Sequence, residues 1–208
     1  NNPIVDATII QTYDLLGFGA KNEHWVMAPT NISLLQPQYS SVRKDGILVF
    51  AHYPTSPRTK NSELVVKVMT ELASKHPNKF LFRYDPKTMP WSKNLERISQ
   101  CDVYIEQLAF NLQGHVHGEI GLAAQEAAAM GKPVIAAVNS WKQYEEEYGS
   151  LGVLVSNSEK DFYDTVERVI LMTQEELLSE KKRAREWVQT FHSYEHIGNR
   201  LVQVYDSI

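Results

Sequence analysis

Cysteine is nearly absent: Cys101 is the one thiol in 208 residues. That excludes an internal disulfide and a four-cysteine zinc site, and it fits a reducing compartment such as the cytoplasm. No apolar run approaches the roughly twenty residues that span a bilayer, and no basic-then-apolar signal pattern opens the chain. Basic residues are not in excess. The formal net charge of -4 argues against a general nucleic-acid binder, so no nucleic-acid partner is expected. No Gly-x-Gly-x-x-Gly follows the first apolar run, which removes the fingerprint of a dinucleotide-dependent dehydrogenase. The metal-holding pattern Asp-x-Asp is missing as well. The hydrophobic fraction of 43% and charged fraction of 22% are those of an ordinary globular protein.

Short apolar runs alternate with longer helical patterns along most of the chain, the rhythm of βα units on a parallel sheet. Strands are expected at 7–10, 24–27, 47–50, 80–84, 103–105, 134–137 and 153–155, mostly as continuous apolar runs suited to a sheet covered on both faces. Helical spacing places Leu64, Val65, Val68, Met69 and Leu72 on one face of a helix over 62–75, with Asn61 or Ser62 as its N-cap. Helices are also expected at 161–172, 174–191 and 196–205. The expected architecture is α/β: a Rossmann-like parallel sheet of about six strands with helices on both faces. Residues 1–208 form a single domain in this reading, closed by C-terminal helices over 174–208.

The most specific stretch is Gly118-Glu-Ile-Gly-Leu-Ala-Ala-Gln-Glu126, which continues through Gly131-Lys-Pro-Val134. Gly118 and Gly121 allow close backbone approach to a ligand, and the helix they open offers free N–H groups and a positive dipole end to a diphosphate. Glu126 stands a turn and a half further on, where a carboxylate can accept hydrogen bonds from sugar hydroxyls. A loop at the C-terminal end of the third strand carries His52, Thr55, Arg58 and Lys60, and such loops hold the ligands of open α/β sheets. Arg58 offers a fork and Lys60 a point charge to a diphosphate; the alternative for both is a solvated loop charge.

Three segments in order, His52-x-Pro-Thr-x4-Lys60-Asn-Ser62, Cys101-Asp-Val-Tyr-Ile-Glu-Gln-Leu108 and Gly118-x2-Gly-x4-Glu-Ala-x-Ala-x-Gly-Lys-Pro-Val134, resemble the C-terminal, donor-binding domain of GT-B glycosyltransferases of the group 1, family four kind. The match covers roughly residues 45 to 140, with weaker likeness on either side. The resemblance implies transfer of a sugar from a nucleotide diphosphate donor with retention at the anomeric carbon, without a metal or other cofactor. It implies that Lys60, with Arg58 beside it, binds the diphosphate. Glu126 would hold the ribose, and backbone N–H groups around Gly121 and Leu122 would face the phosphates. It further implies an acceptor domain N-terminal to this one; the chain begins at Asn1 rather than at Met and is expected to be an excised half, inactive alone. Polysaccharide biosynthesis and peripheral membrane association through that other domain belong to the same expectation. The acceptor, base and sugar stay open.

One position departs from the family pattern: where many relatives carry the first Glu of Glu-x7-Glu, this chain has Gly118, with Glu119 one step out of register. Either Glu119 substitutes as a catalytic-site acid, or backbone groups hold the sugar and Glu119 is a surface loop residue. His115 and His117 read as a metal edge, as donor-sugar ligands or as loop histidines, with His117 the better candidate for a sugar or phosphate contact. Trp91 reads as a base-stacking platform or as a residue packed against a helix; Trp187 and Tyr194 read as core. The rival function of another class is a non-catalytic nucleotide-binding or assembly module on the same fold.

Overall fold

The computed structural model describes residues 4–112 and 115–208. Five strands, β3 (Leu48–His52), β4 (Phe80–Tyr84), β5 (Val103–Ile105), β8 (Val134–Ala136) and β9 (Leu154–Val155), form one sheet in the order β4-β3-β5-β8-β9. Every pairing in it is parallel. Side chains alternate between two helical layers, because successive strand residues point to opposite faces. Phe50, Val103, Ile105 and Ile135 pack with α1 (Ser62–Lys75) and α5 (Glu159–Leu171). Val49, Ala51, Tyr104 and Val134 pack with α3 (Leu122–Ala129) and α6 (Gln174–Phe191), joined by residues of α2 (Trp91–Ser99), α4 (Trp141–Tyr148) and α7 (Tyr194–Asp206). Both faces are therefore covered, which is what the uninterrupted apolar strands require.

All seven expected strands form, yet β1 (Thr8–Ile10) and β2 (Glu23–Trp25) pair only with each other, in a separate parallel sheet. The main sheet thus has five strands rather than about six. The physical reason lies in the connector that follows β2. It packs into the helical layer with Val26, Met27 and Leu35 buried, held by Thr30 N–H to the His192 carbonyl (2.7 Å) and Gln38 N–H to that of Met130 (3.0 Å). Arg185 of α6 donates to the Leu35 and Ile32 carbonyls of the same connector. β2 is anchored on α4 instead, with Trp25 edge-on to Tyr144 and Tyr148 at 4.6 and 5.0 Å. An antiparallel pair, β6 (Asn111–Leu112) with β7 (His115–Val116), was not foreseen; residues 113 and 114 lie outside the described residues.

Two further expectations are refined by the structure. Asn61 sits at the N-cap of α1 but in a left-handed conformation (φ 51°) and does not cap with its side chain, which donates to the Leu108 carbonyl at 3.0 Å. Trp187 is core, whereas Tyr194 is 60% exposed at the first position of α7. No helix among the described residues is long and apolar enough to cross a membrane.

Candidate functional site

β3 and β5 lie side by side although β4 comes between them in sequence, so the connections leave this pair in opposite directions. The crevice at the C-terminal ends of such a pair is where open α/β sheets bind ligands. His52 closes the floor of that crevice. Its Nδ1 lies 2.9 Å from the Ile105 carbonyl oxygen, which can only accept, so Nδ1 carries the proton and Nε2 accepts from the Ser62 hydroxyl at 2.8 Å. The ring is fully buried, and burial pushes its pKa down to about 4. This corrects the expectation that His52 belongs to the ligand loop: it is the last residue of β3 and ties β3, β5 and α1 together from beneath.

Above it, Lys60 Nζ forms an ion pair with Oε1 of Glu106, the residue that follows β5. The Lys60 side chain is 26% exposed and that of Glu106 only 2%. Both sit against Gly121, the N-cap of α3: a Cβ there would lie 2.8 Å from Glu106 Oε1 and 3.7 Å from Lys60 Nζ. Glycine at 121 is what lets the helix start come down onto the pair. Among the described residues no side chain caps α3, so the N–H groups of Leu122 and Ala123 are left for water or a ligand, and they share their end of the helix with the ammonium of Lys60. The loops are stitched to each other by Leu108 N–H to the Lys60 carbonyl at 3.1 Å.

Glu126 projects from the middle of α3 and accepts from the indole N–H of Trp91. Partial burial raises its pKa, and the Trp91 bond opposes that rise. Trp91 is 53% exposed, so it lies open beside Glu126 rather than packed away against a helix. Lys60 Nζ thus lies beside the N-terminus of α3, and Glu126 belongs to that helix about a turn and a half along.

Gly118 serves a different neighbour from the one expected. With φ at +121°, its missing Cβ would fall 2.9 Å from Asn139 Nδ2 and 3.2 Å from the Ala137 carbonyl oxygen, so the glycine admits the end of β8 rather than a ligand. No side chain, and hence no glutamate, fits there. Glu119 turns inward: it accepts from the Ser140 hydroxyl at the start of α4, and Tyr144 lies beside it without a well-aligned hydrogen bond. Burial raises its pKa to about 7. It is thus a partly buried acid, not a surface loop residue. His117 is half-buried; its carbonyl accepts from Asn139 Nδ2 and its N–H donates to the Phe110 carbonyl. The His115 side chain lies outside what is described. Arg58 and Thr55 are exposed on the loop before α1, and the Leu122 side chain is 55% exposed at the start of α3. Arg58 makes no ion pair among the described residues.

Two residues have no individual role in the sequence reading of the site, although Gln107 lies in the motif that ends at Leu108. Gln107, 2% exposed, donates to the Ala137 carbonyl at 2.8 Å and to that of Glu119 at 3.3 Å, and Asn139 N–H donates to the Gly118 carbonyl at 2.9 Å. Together they clasp the glycine loop. The available signal was a polar residue set directly after an apolar strand, the position that reaches the carboxyl edge of the sheet.

No protein-family model matches the chain, and no curated protein matches it significantly. Solved structures do. Sucrose-phosphate synthase from Thermosynechococcus elongatus superposes with a TM-score of 0.63 at 17% identity, over 97% of this chain. Anabaena HepE, in a complex with UDP and glucose, gives 0.58 at 14% identity over 92%. A trehalose-6-phosphate synthase gives 0.64 at 10% identity over 91%. The fold is that of one half of a GT-B glycosyltransferase. The chain spans 58%, 59% and 53% of those three chains. Its sheet order and the helix that starts at Gly121 thus belong to a known architecture, while the Lys60–Glu106 pair is read from its own coordinates.

Proposed function

We propose that this chain binds a nucleoside diphosphate sugar and forms the donor half of a retaining, metal-independent glycosyltransferase. The observation that carries the reading is the convergence of Lys60 and the uncapped start of α3 on the crevice between β3 and β5, with Glu126 on the same helix. A diphosphate placed there meets an ammonium, a helix N-terminus and, from the open loop, the Arg58 guanidinium. These groups offset the negative charge that grows on the departing diphosphate as the sugar–oxygen bond breaks. Glu126 accepts from the ribose hydroxyls. The donor sugar lies toward the loop of 117–120, where backbone groups and the protonatable Glu119 are the available partners. HepE, as a complex with UDP-glucose, and the trehalose-6-phosphate synthase, described in terms of glycosyl transfer with retention, support this reading by fold alone.

The acceptor half is a second α/β unit in this proposal. The open edges of the β1–β2 sheet and the exposed Ile9, Leu15 and Phe18 nearby provide a face for it. The test is titration calorimetry with UDP, GDP and ADP. Binding of one of them is expected, weakened at least about tenfold in Lys60→Met and in Glu126→Gln. No binding of any of the three at millimolar concentration would overturn the proposal. The engagement of Lys60 by an internal carboxylate favours a second reading, a non-catalytic nucleotide-binding module; it gains if the same two variants leave sugar transfer by the full-length protein unchanged.

A further inference from the structure

The Lys60–Glu106 pair puts an anion where an anionic ligand belongs. Glu106 is nearly fully buried, its Oε1 holds Lys60, and that oxygen stands 2.8 Å from the Cβ position of Gly121, beneath the first turn of α3. A carboxylate there takes up both attractions a phosphate would use, the charge-assisted bond from Lys60 and the field of the helix end. Its second oxygen, Oε2, is buried and has no hydrogen-bond partner among the described residues. A buried ion pair kept for stability has its oxygens satisfied, as Asp102 does with Lys181 and the N–H groups of Val42 and Val49. Glu106 does not.

We propose that Glu106 is the internal counter-anion of the diphosphate site: it occupies Lys60 while the site is empty, competes with the ligand's phosphates for that ammonium, and so weakens nucleoside diphosphate binding. The inference rests on the reading that Lys60 binds the donor diphosphate. Glu106 keeps Lys60 folded down at the end of β5 instead of extended into solvent. When a diphosphate arrives, the ammonium is shared between two anions that repel one another in a partly desolvated site. The ligand is held less tightly than Lys60, Arg58 and the helix end alone would hold it. For a transferase this favours release of the spent nucleotide, which is often the slow step.

Calorimetry at low salt tests this with UDP, GDP and ADP on the parent protein, Glu106→Gln and Glu106→Ala, with circular dichroism as the check of folding. Competition predicts that whichever nucleotide binds the parent binds Glu106→Gln about tenfold more tightly, that Glu106→Ala also gains, and that the gain shrinks as sodium chloride is raised. The gain should vanish when Lys60→Met is combined with Glu106→Gln. Equal or weaker binding by both Glu106 variants would make the carboxylate a positioning group for Lys60 and overturn the proposal. So would loss of folding in both, which would assign it to the fold. Failure of a different kind is distinguishable: if neither parent nor variants bind any of the three nucleotides, or if Lys60→Met binds as well as the parent, the diphosphate site itself is misplaced.

Discussion

A methyl group added to Gly118 meets the segment after β8, with Asn139 Nδ2 at 2.9 Å, Ala137 Cβ at 3.1 Å and the Ala137 carbonyl oxygen at 3.2 Å, at a φ of +121°. Gly198, inside α7, has nothing within 4 Å of the same position. Gly118→Ala is therefore expected to cost about 2–3 kcal/mol through strain and overpacking, and Gly198→Ala to gain about 0.5–1 kcal/mol through helix propensity. Urea unfolding of the two variants checks both; a Gly118→Ala protein as stable as its parent would refute the packing role. The spacing of glycines in the sequence marked the place where the backbone had to come close to something. It did not say to what, because the partners at Gly118 come from the end of β8, some twenty residues along the chain. Lys60 is a similar case: its position after β3 was legible, while its engagement depends on Glu106, 46 residues away.

At the scale of elements, helical periodicity placed α1, α5, α6 and α7 well, since each buries one apolar stripe. α6 carries an additional tie that its charged composition hid. Lys181, 1% exposed, reaches from α6 beneath the sheet to Asp102, 0% exposed, at 3.1 Å, and donates to the Tyr39 carbonyl at 3.3 Å. The sequence reading assigns Lys181 no role and takes Asp102 as part of the motif that precedes the site; both are structural, at the end of β5 opposite the crevice. Lys181→Met leaves a buried carboxylate without its counter-charge and is expected to destabilise the protein by about 3 kcal/mol. A drop in the denaturant midpoint of the matching size is the measurement, and an unchanged midpoint would show the pair contributes nothing net.

The molecule as a whole should show a divided response to pH. His52 and His192 are both fully buried, and burial lowers their pKa values from 6.5 to about 4 and about 3. Their folded values lie below the unfolded one, so the stability they contribute is present above pH 6.5 and is lost as pH falls toward those values. Glu119 runs the other way. Raised from 4.5 to about 7 by burial, it contributes stability that is full below 4.5 and is lost as pH rises through 7. Between 4.5 and 6.5 the two effects oppose each other. Glu119→Gln removes one of them, so relative to its parent the variant should be more stable at about pH 8 than at about pH 5. Guanidinium titrations at both values test this, and parallel curves would show that Glu119 has its ordinary pKa.

The alternation of apolar strands with amphipathic helices, and the placing of glycines, lysine and glutamate at loop positions, were settled locally. They follow from backbone periodicity and side-chain chemistry over a few residues, which is why the parallel α/β class, the helices and the approximate site were readable. Three outcomes required the folded chain: the separation of β1 and β2 from the main sheet, the burial of His52, and the meeting of Lys60 with Glu106 and of Trp91 with Glu126. Each depends on which distant surfaces compete for the same space. Such competition is decided by packing and by the need to pair buried polar groups, and neither leaves a mark in local spacing.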